Sequence, residues 1–220
     1  SSGTNIAAAT STLTVNNAPL VVGKSFTPPS IAVGGVSQLR IIISNPNSTN
    51  AVLNNPGLTD TYPGGVTNAA VPAAATTCGG AVTAAAAGGT VVLGAGNSIP
   101  ANGSCTITVN VTSSTASGLP VTNTIAAGAI SVNTGAATNT NAATANLFVN
   151  ALPPVITKSF APTTVAVLGT STLTFTIFNP NNVTLTGIGF TDQFPAGLTA
   201  VNGNATVCGG PANNRVISGG

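Results

Sequence analysis

Histidine, methionine and tryptophan are absent from the sequence, and only 3% of its 220 residues are charged, against roughly 25% in an ordinary soluble domain. Without histidine, and with Asp60 and Asp192 as the only acidic side chains, the chain offers no Ser/His/Asp triad, no closely spaced acid pair for glycoside hydrolysis and no histidine-rich metal site. Calcium is disfavoured as well, because its usual sites gather several carboxylates. An enzyme, a cofactor and a bound metal are therefore not expected.

The shortage of charge also bears on partners. Four Lys plus Arg give a net charge of +2 with no basic cluster, too little to bind nucleic acid through counterion release. No run approaches the roughly 18 consecutive apolar residues of a membrane span, and no signal-peptide pattern is visible. Aliphatic residues are nonetheless plentiful, since 43% of the chain is hydrophobic. That fraction, with a small net charge, predicts a folded core rather than disorder.

The sequence repeats itself. "KSF" at 24–26 returns at 158–160 and "NPN" at 45–47 returns at 179–181, both offset by 134. "TD" at 59–60 matches 191–192 and "CGG" at 78–80 matches 208–210, at offsets of 132 and 130 that imply short loop deletions. "TNIAAATSTLTVNNAP" at 4–19 pairs with "TNTNAATANLFVNALP" at 138–153, again at 134. Tandem duplication of this kind marks a repeat array. The reading is a final strand or two of one repeat (1–19), a complete repeat (20–152) and the first part of another (153–220), as a window cut from a longer array. Residues 1–19 acting as a donor strand for a neighbouring chain is the alternative, but it leaves the counterpart of 87–134 unsupplied.

Within the repeat, "STLTFTIF" at 171–178 alternates Leu173, Phe175 and Ile177 with threonines, the period of a half-buried strand. Its counterpart places Leu39, Ile41 and Ile43 inward and Arg40 outward. "SCTITVNVT" at 104–112 and "NLFVN" at 146–150 read alike, and Gly, Pro and Asn punctuate the gaps. "AVTAAAAGG" at 81–89 has no apolar stripe and reads as a loop or poor strand, so no helix is expected. The fold class is all-β: tandem immunoglobulin-like β-sandwich repeats with Greek-key topology. "NNAP" at 16–19 and "ALPP" at 151–154 become links stiffened by proline.

Cys78 and Cys105 fall in the complete repeat, whereas Cys208 matches Cys78 and its partner is expected beyond the window. A Cys78–Cys105 disulfide is expected over two buried thiols, because two cysteines without histidine make a poor metal set. Such a bond points to an oxidising, extracellular or cell-surface location.

The remaining charges are not scattered. Lys24 and Lys158 precede Ser-Phe, and Asp60 and Asp192 stand in Thr-Asp-x-aromatic-Pro. Lys-x-Phe-x-Pro, Asn-Pro-Asn, Thr-Asp-x-aromatic-Pro and Cys-Gly-Gly, in this order, resemble the bacterial surface repeats grouped as "domain of unknown function 11" and related immunoglobulin-like repeats. The resemblance covers essentially the whole chain and identifies a fold family better than an activity. Among such domains of adhesins and pili, some join a first-strand Lys to a late-strand Asn by an isopeptide bond, assisted by a buried acid. The resemblance implies Lys24, Asp60 and Asn123, the last in "VTNT", with Lys158 and Asp192 as the second copy. Asn139, Asn141 and Asn146 are alternative acceptors, and a buried Lys24–Asp60 ion pair without a covalent bond is the simpler reading.

Asn47, Asn102, Asn110, Asn182 and Asn204 head Asn-x-Ser/Thr sequons, matches that arise readily by chance in this composition. Tyr62 and Phe194 occupy equivalent positions beside the aspartates, where a core or sandwich-end role is expected over a ligand contact. A neutral surface favours packing of like on like, so the expected partners are neighbouring repeats or other copies, with a glycan or host ligand as a lesser expectation. The expected function is a secreted structural repeat protein, forming an extracellular filament or cell-surface stalk with intradomain cross-links. The alternatives are an adhesin stalk whose binding head lies elsewhere and spacer repeats of a large secreted enzyme.

Overall fold

The computed structural model describes residues 10–13 and 16–201. In chain order the strands are β1 (Val21–Thr27), β2 (Ser30–Ala32), β3 (Val36–Ser44), β4 (Ala51–Leu53), β5 (Leu58–Thr61), β6 (Val66–Asn68), β7 (Ala75–Thr76), β8 (Val82–Thr83), β9 (Thr90–Leu93), β10 (Ser98–Ile99), β11 (Ser104–Ser113), β12 (Val121–Ile125), β13 (Val132–Thr134), β14 (Ala143–Asn150), β15 (Val155–Ala161) and β16 (Thr172–Phe178). No helix occurs among the described residues.

The chain divides into two compact units, one ending at Thr184 and the other starting at Leu185. Among the described residues of the second unit, 185–201, there is a bend and a turn but no strand. The first unit holds all sixteen strands of the described residues. Its largest sheet runs β1-β3-β11-β6, with β7 also on β11, and the others are β10-β4-β13, β12-β14-β2, β5-β9-β8 and the hairpin β15-β16. Among the described residues every strand pairing is antiparallel except that of β14 with β2, where Phe148, Val149 and Asn150 lie opposite Ser30, Ile31 and Ala32. Pro28 and Pro29 separate β1 from β2, and across them the chain passes from the large sheet to the β14 sheet.

Alternation builds the core. Leu39, Ile41 and Ile43 of β3 are fully buried, and β11 contributes Ile107, Val109 and Val111 beside them. Leu58, Val91, Leu93, Ile125, Leu147 and Val149 supply the opposing side chains, from β5, β9, β12 and β14. Each large aliphatic is worth about 1.5–3 kcal/mol relative to exposure. Arg40 points outward among Ser25 and Thr108 of the neighbouring strands, as expected. These sheets with a shared apolar interior are compatible with a β-sandwich.

The duplicated sequence forms duplicated structure. β1 and β3 pair with Lys24 opposite Ile41, and β15 and β16 pair with Lys158 opposite Phe175, the same register shifted by 134. Ser37 donates its hydroxyl to the carbonyl of Pro28 at 2.6 Å, and Ser171 does the same to Pro162 at 2.6 Å.

Candidate functional site

Three strands from three different sheets bring Lys24, Asp60 and Asn123 together. Each residue occupies an inward position of its strand, between apolar neighbours: Val22 and Phe26 on β1, Leu58 and Tyr62 around β5, Val121 and Ile125 on β12. The ammonium of Lys24 donates to both oxygens of Asp60 at 2.7 Å, and both side chains have 0% exposure. Asn123, 1% exposed, donates its Nδ2 to Asp60 Oδ2 at 2.9 Å. Its carbonyl Oδ1 is buried with no hydrogen-bond partner.

Burial dominates the electrostatics. Desolvation pushes the Lys24 ammonium below the ordinary lysine range, opposed by the charge and hydrogen bonds of Asp60. It pushes the Asp60 carboxyl above the ordinary carboxylate range, opposed by Lys24 and by the bond from Asn123. Both shifts favour a neutral amine beside a protonated acid. An ionised Asp60 only accepts hydrogen bonds, so Asn123 presents its amide nitrogen. A protonated Asp60 donates, and the amide can then present its oxygen instead.

Beside this group Tyr62 donates its hydroxyl to Asn68 Oδ1 at 2.8 Å, and Asn68 donates to the carbonyls of Ala85 and Thr90 at 2.8 Å and 2.9 Å. Burial, and secondarily Asp60, raises the Tyr62 phenol above its usual range. The ring sits in the core, as expected of the Tyr62 position. The hydroxyl bond to Asn68 has no sequence signal, because the equivalent aromatic is Phe194.

The alternative acceptors Asn139, Asn141 and Asn146 lie away from this group. Asn139 accepts from the Ile130 amide at 3.0 Å and donates to the carbonyls of Ala126 and Asn141 at 2.9 Å each, closing the turn after β12. Asn141 and Asn146 are exposed, and Asn146 accepts from Thr122 at 2.8 Å. Lys158 is exposed, with its ammonium 5.9 Å and 5.7 Å from the ring centroids of Phe160 and Phe175. Asp192 is partly buried and lies in the second unit.

Cys78 and Cys105 form a disulfide with their Cα atoms 4.8 Å apart. It fastens the segment between β7 and β8 to β11. The following Cys-Gly-Gly turn needs its glycine: Gly80 has φ +63°, and a Cβ there would collide with the Ala95 carbonyl. Cys208 and Asn204 lie outside the described residues.

Of the other sequons, Asn102 is exposed at a positive φ of 50°. Asn110 reaches the Val71 carbonyl at 3.5 Å, and Asn182 accepts from the Ala116 amide at 3.3 Å. Asn47 is committed to backbone bonds described below. Among the described residues, no helix is long and apolar enough to cross a membrane and no three metal-ligating side chains cluster.

The fold and the buried group define a disulfide-bonded all-β protein with a duplicated hairpin and a core Lys-Asp-Asn cluster. The chain belongs to the family described as Domain of unknown function (DUF7933), which it matches over residues 19–149 and again over 154–218. No curated protein matches it.

Proposed function

We propose that this chain is part of a secreted structural protein in which tandem immunoglobulin-like repeats, of Greek-key topology and akin to the domain of unknown function 11 repeats, form an extracellular filament or cell-surface stalk stabilised by covalent ties within each repeat. The observation that carries this reading is the buried cluster of Lys24, Asp60 and Asn123, in which amine and carboxamide share one carboxyl while the Asn123 carbonyl is unpaired. As a structural device without covalent closure, this arrangement holds a buried ion pair whose desolvation offsets much of its attraction.

An isopeptide bond resolves that cost. With the proton on Asp60, the neutral Lys24 Nζ attacks the Asn123 Cγ while Asp60 polarises its oxygen. The Nζ–Cγ bond forms, the Cγ–Nδ2 bond breaks, and the amide nitrogen leaves as ammonia with the proton lost by Lys24. The disulfide and the scarcity of Lys and Arg suit an extracellular setting, where the first resists opening and the second leaves trypsin-like proteases few sites.

Mass spectrometry of the intact, folded chain tests the covalent step: each closed bond lowers the mass by one ammonia, about 17 Da, beyond the two hydrogens lost to the disulfide. Digestion is expected to yield one branched species joining the Lys24 and Asn123 peptides, and the shift is expected to vanish in K24A, D60A and N123A. Separate, unmodified Lys24 and Asn123 peptides from the parent chain would sink the covalent reading and leave the ion pair.

A further inference from the structure

The second asparagine of each Asn-Pro-Asn motif holds the link that enters its repeat. Asn47 accepts from the Ala18 amide at 2.7 Å and donates to the Ala18 carbonyl at 3.0 Å. In the second copy, Asn181 accepts from the Leu152 amide at 2.7 Å and donates to the Leu152 carbonyl at 2.8 Å. Both bonds go to one residue. An extended residue turns its N–H and C=O to the same side, as in the paired positions of an antiparallel ladder, and the carboxamide takes the place of the missing strand.

Two features prepare this contact. Pro19 and Pro153 follow the held residues, and a residue before proline is pushed into extended conformation by the proline ring. The first asparagine of the motif then sets the second: Asn45 Oδ1 accepts from the Asn47 amide at 3.1 Å and side chain at 2.9 Å, and Asn179 Oδ1 accepts from Asn181 at 3.0 Å and 2.9 Å. Asn45 and Asn179 are in turn anchored on the carbonyls of Thr49 and Val183, at 2.8 Å each. The middle proline has no N–H to compete. Next to the second copy, the Ala116 amide in the loop after β11 donates to Asn182 at 3.3 Å, a third bond between the complete repeat and the turn of the next.

We propose that Asn47 and Asn181 are binding sites for an extended X-Pro segment of the same chain, latching each link onto the repeat that follows it. The joint is therefore part of the following repeat and not a free tether. Because the held groups are backbone atoms, the site accepts Ala18 and Leu152 alike. This inference stands independently of the covalent bond, since neither asparagine touches Lys24, Asp60 or Asn123.

Amide hydrogen exchange followed by NMR on the full chain tests the latch. Asn181→Ala is expected to speed exchange at the Leu152 amide at least tenfold while the amides of β15 and β16 keep their protection. Leu152→Ala is expected to leave the residue 152 amide as protected as in the parent. Asn181 is the sharper test site, because Ala18 is also held by the Ala137 amide at 3.2 Å. Unchanged exchange at Leu152 in Asn181→Ala overturns the proposal. So does equal loss of protection in Leu152→Ala, which assigns the contact to side-chain packing, or loss throughout β15 and β16, which assigns Asn181 to the folding of the hairpin.

Discussion

A proton passed from Lys24 to Asp60, which it contacts at 2.7 Å, would leave the proton count of the pair unchanged. The pair Lys⁺/Asp⁻ and the reactive pair of neutral amine and protonated acid have the same proton count, so their ratio is independent of pH wherever the pair holds one shared proton. Bond formation is expected to have a pH plateau, unlike acylation of an exposed lysine, whose neutral fraction rises about tenfold per pH unit below its pKa. Below the plateau a second proton leaves Asp60 neutral and Lys24 charged; above it the shared proton is lost and the acid catalyst with it. Burial raises the Asp60 carboxyl and lowers the Lys24 ammonium, and the two edges of the plateau belong to the pair and not to either group alone. A chain isolated unfolded and then refolded across a pH series, with mass loss followed over time, checks this; a rate that climbs steadily to high pH counts against Asp60 as the acid. At this scale the charged residues were legible because the sequence has so few of them. Asn123 was legible only through resemblance, since composition cannot separate it from Asn139 and the other asparagines. The Asn47 and Asn181 latches were hidden although Asn-Pro-Asn stood out, because their partners are backbone atoms that carry no sequence signature.

Among the elements, β11 and β16 were plain in the sequence, where Ile107, Val109 and Val111 alternate with Thr and Asn and Leu173, Phe175 and Ile177 alternate with threonines; β3, the counterpart of β16, was legible through it although Ile42 interrupts its alternation. Short strands were not: β7, β8 and β10 have two residues each, too few to show a period. The disulfide acts at this scale, closing residues 78 and 105 across a separation of 27. Loop-closure entropy assigns it about 3.5 kcal/mol. Chemical denaturation with and without reductant is expected to show a loss of that order, matched by Cys78→Ala/Cys105→Ala. A midpoint indifferent to reduction would mean that the β5-β9-β8 sheet is held in place by its apolar contacts alone.

Over the whole molecule, the near absence of charge leaves little repulsion between copies. Electron microscopy of the native material is expected to show ordered filaments whose axial repeat corresponds to one or two sandwich domains; isolated flexible threads would favour a stalk and direct attention to a terminal head. The parallel pairing of β2 with β14 bears on either architecture. β2 lies near the start and β14 at the end of the first stretch matched by the family, residues 19–149, and Phe148 and Val33 donate to the Pro29 and Asn150 carbonyls at 2.9 Å and 3.0 Å. Tension applied along the chain grips the two strands at opposite ends and slides one past the other. Their hydrogen bonds then bear the load together in shear, instead of parting singly as an unzipping hairpin does.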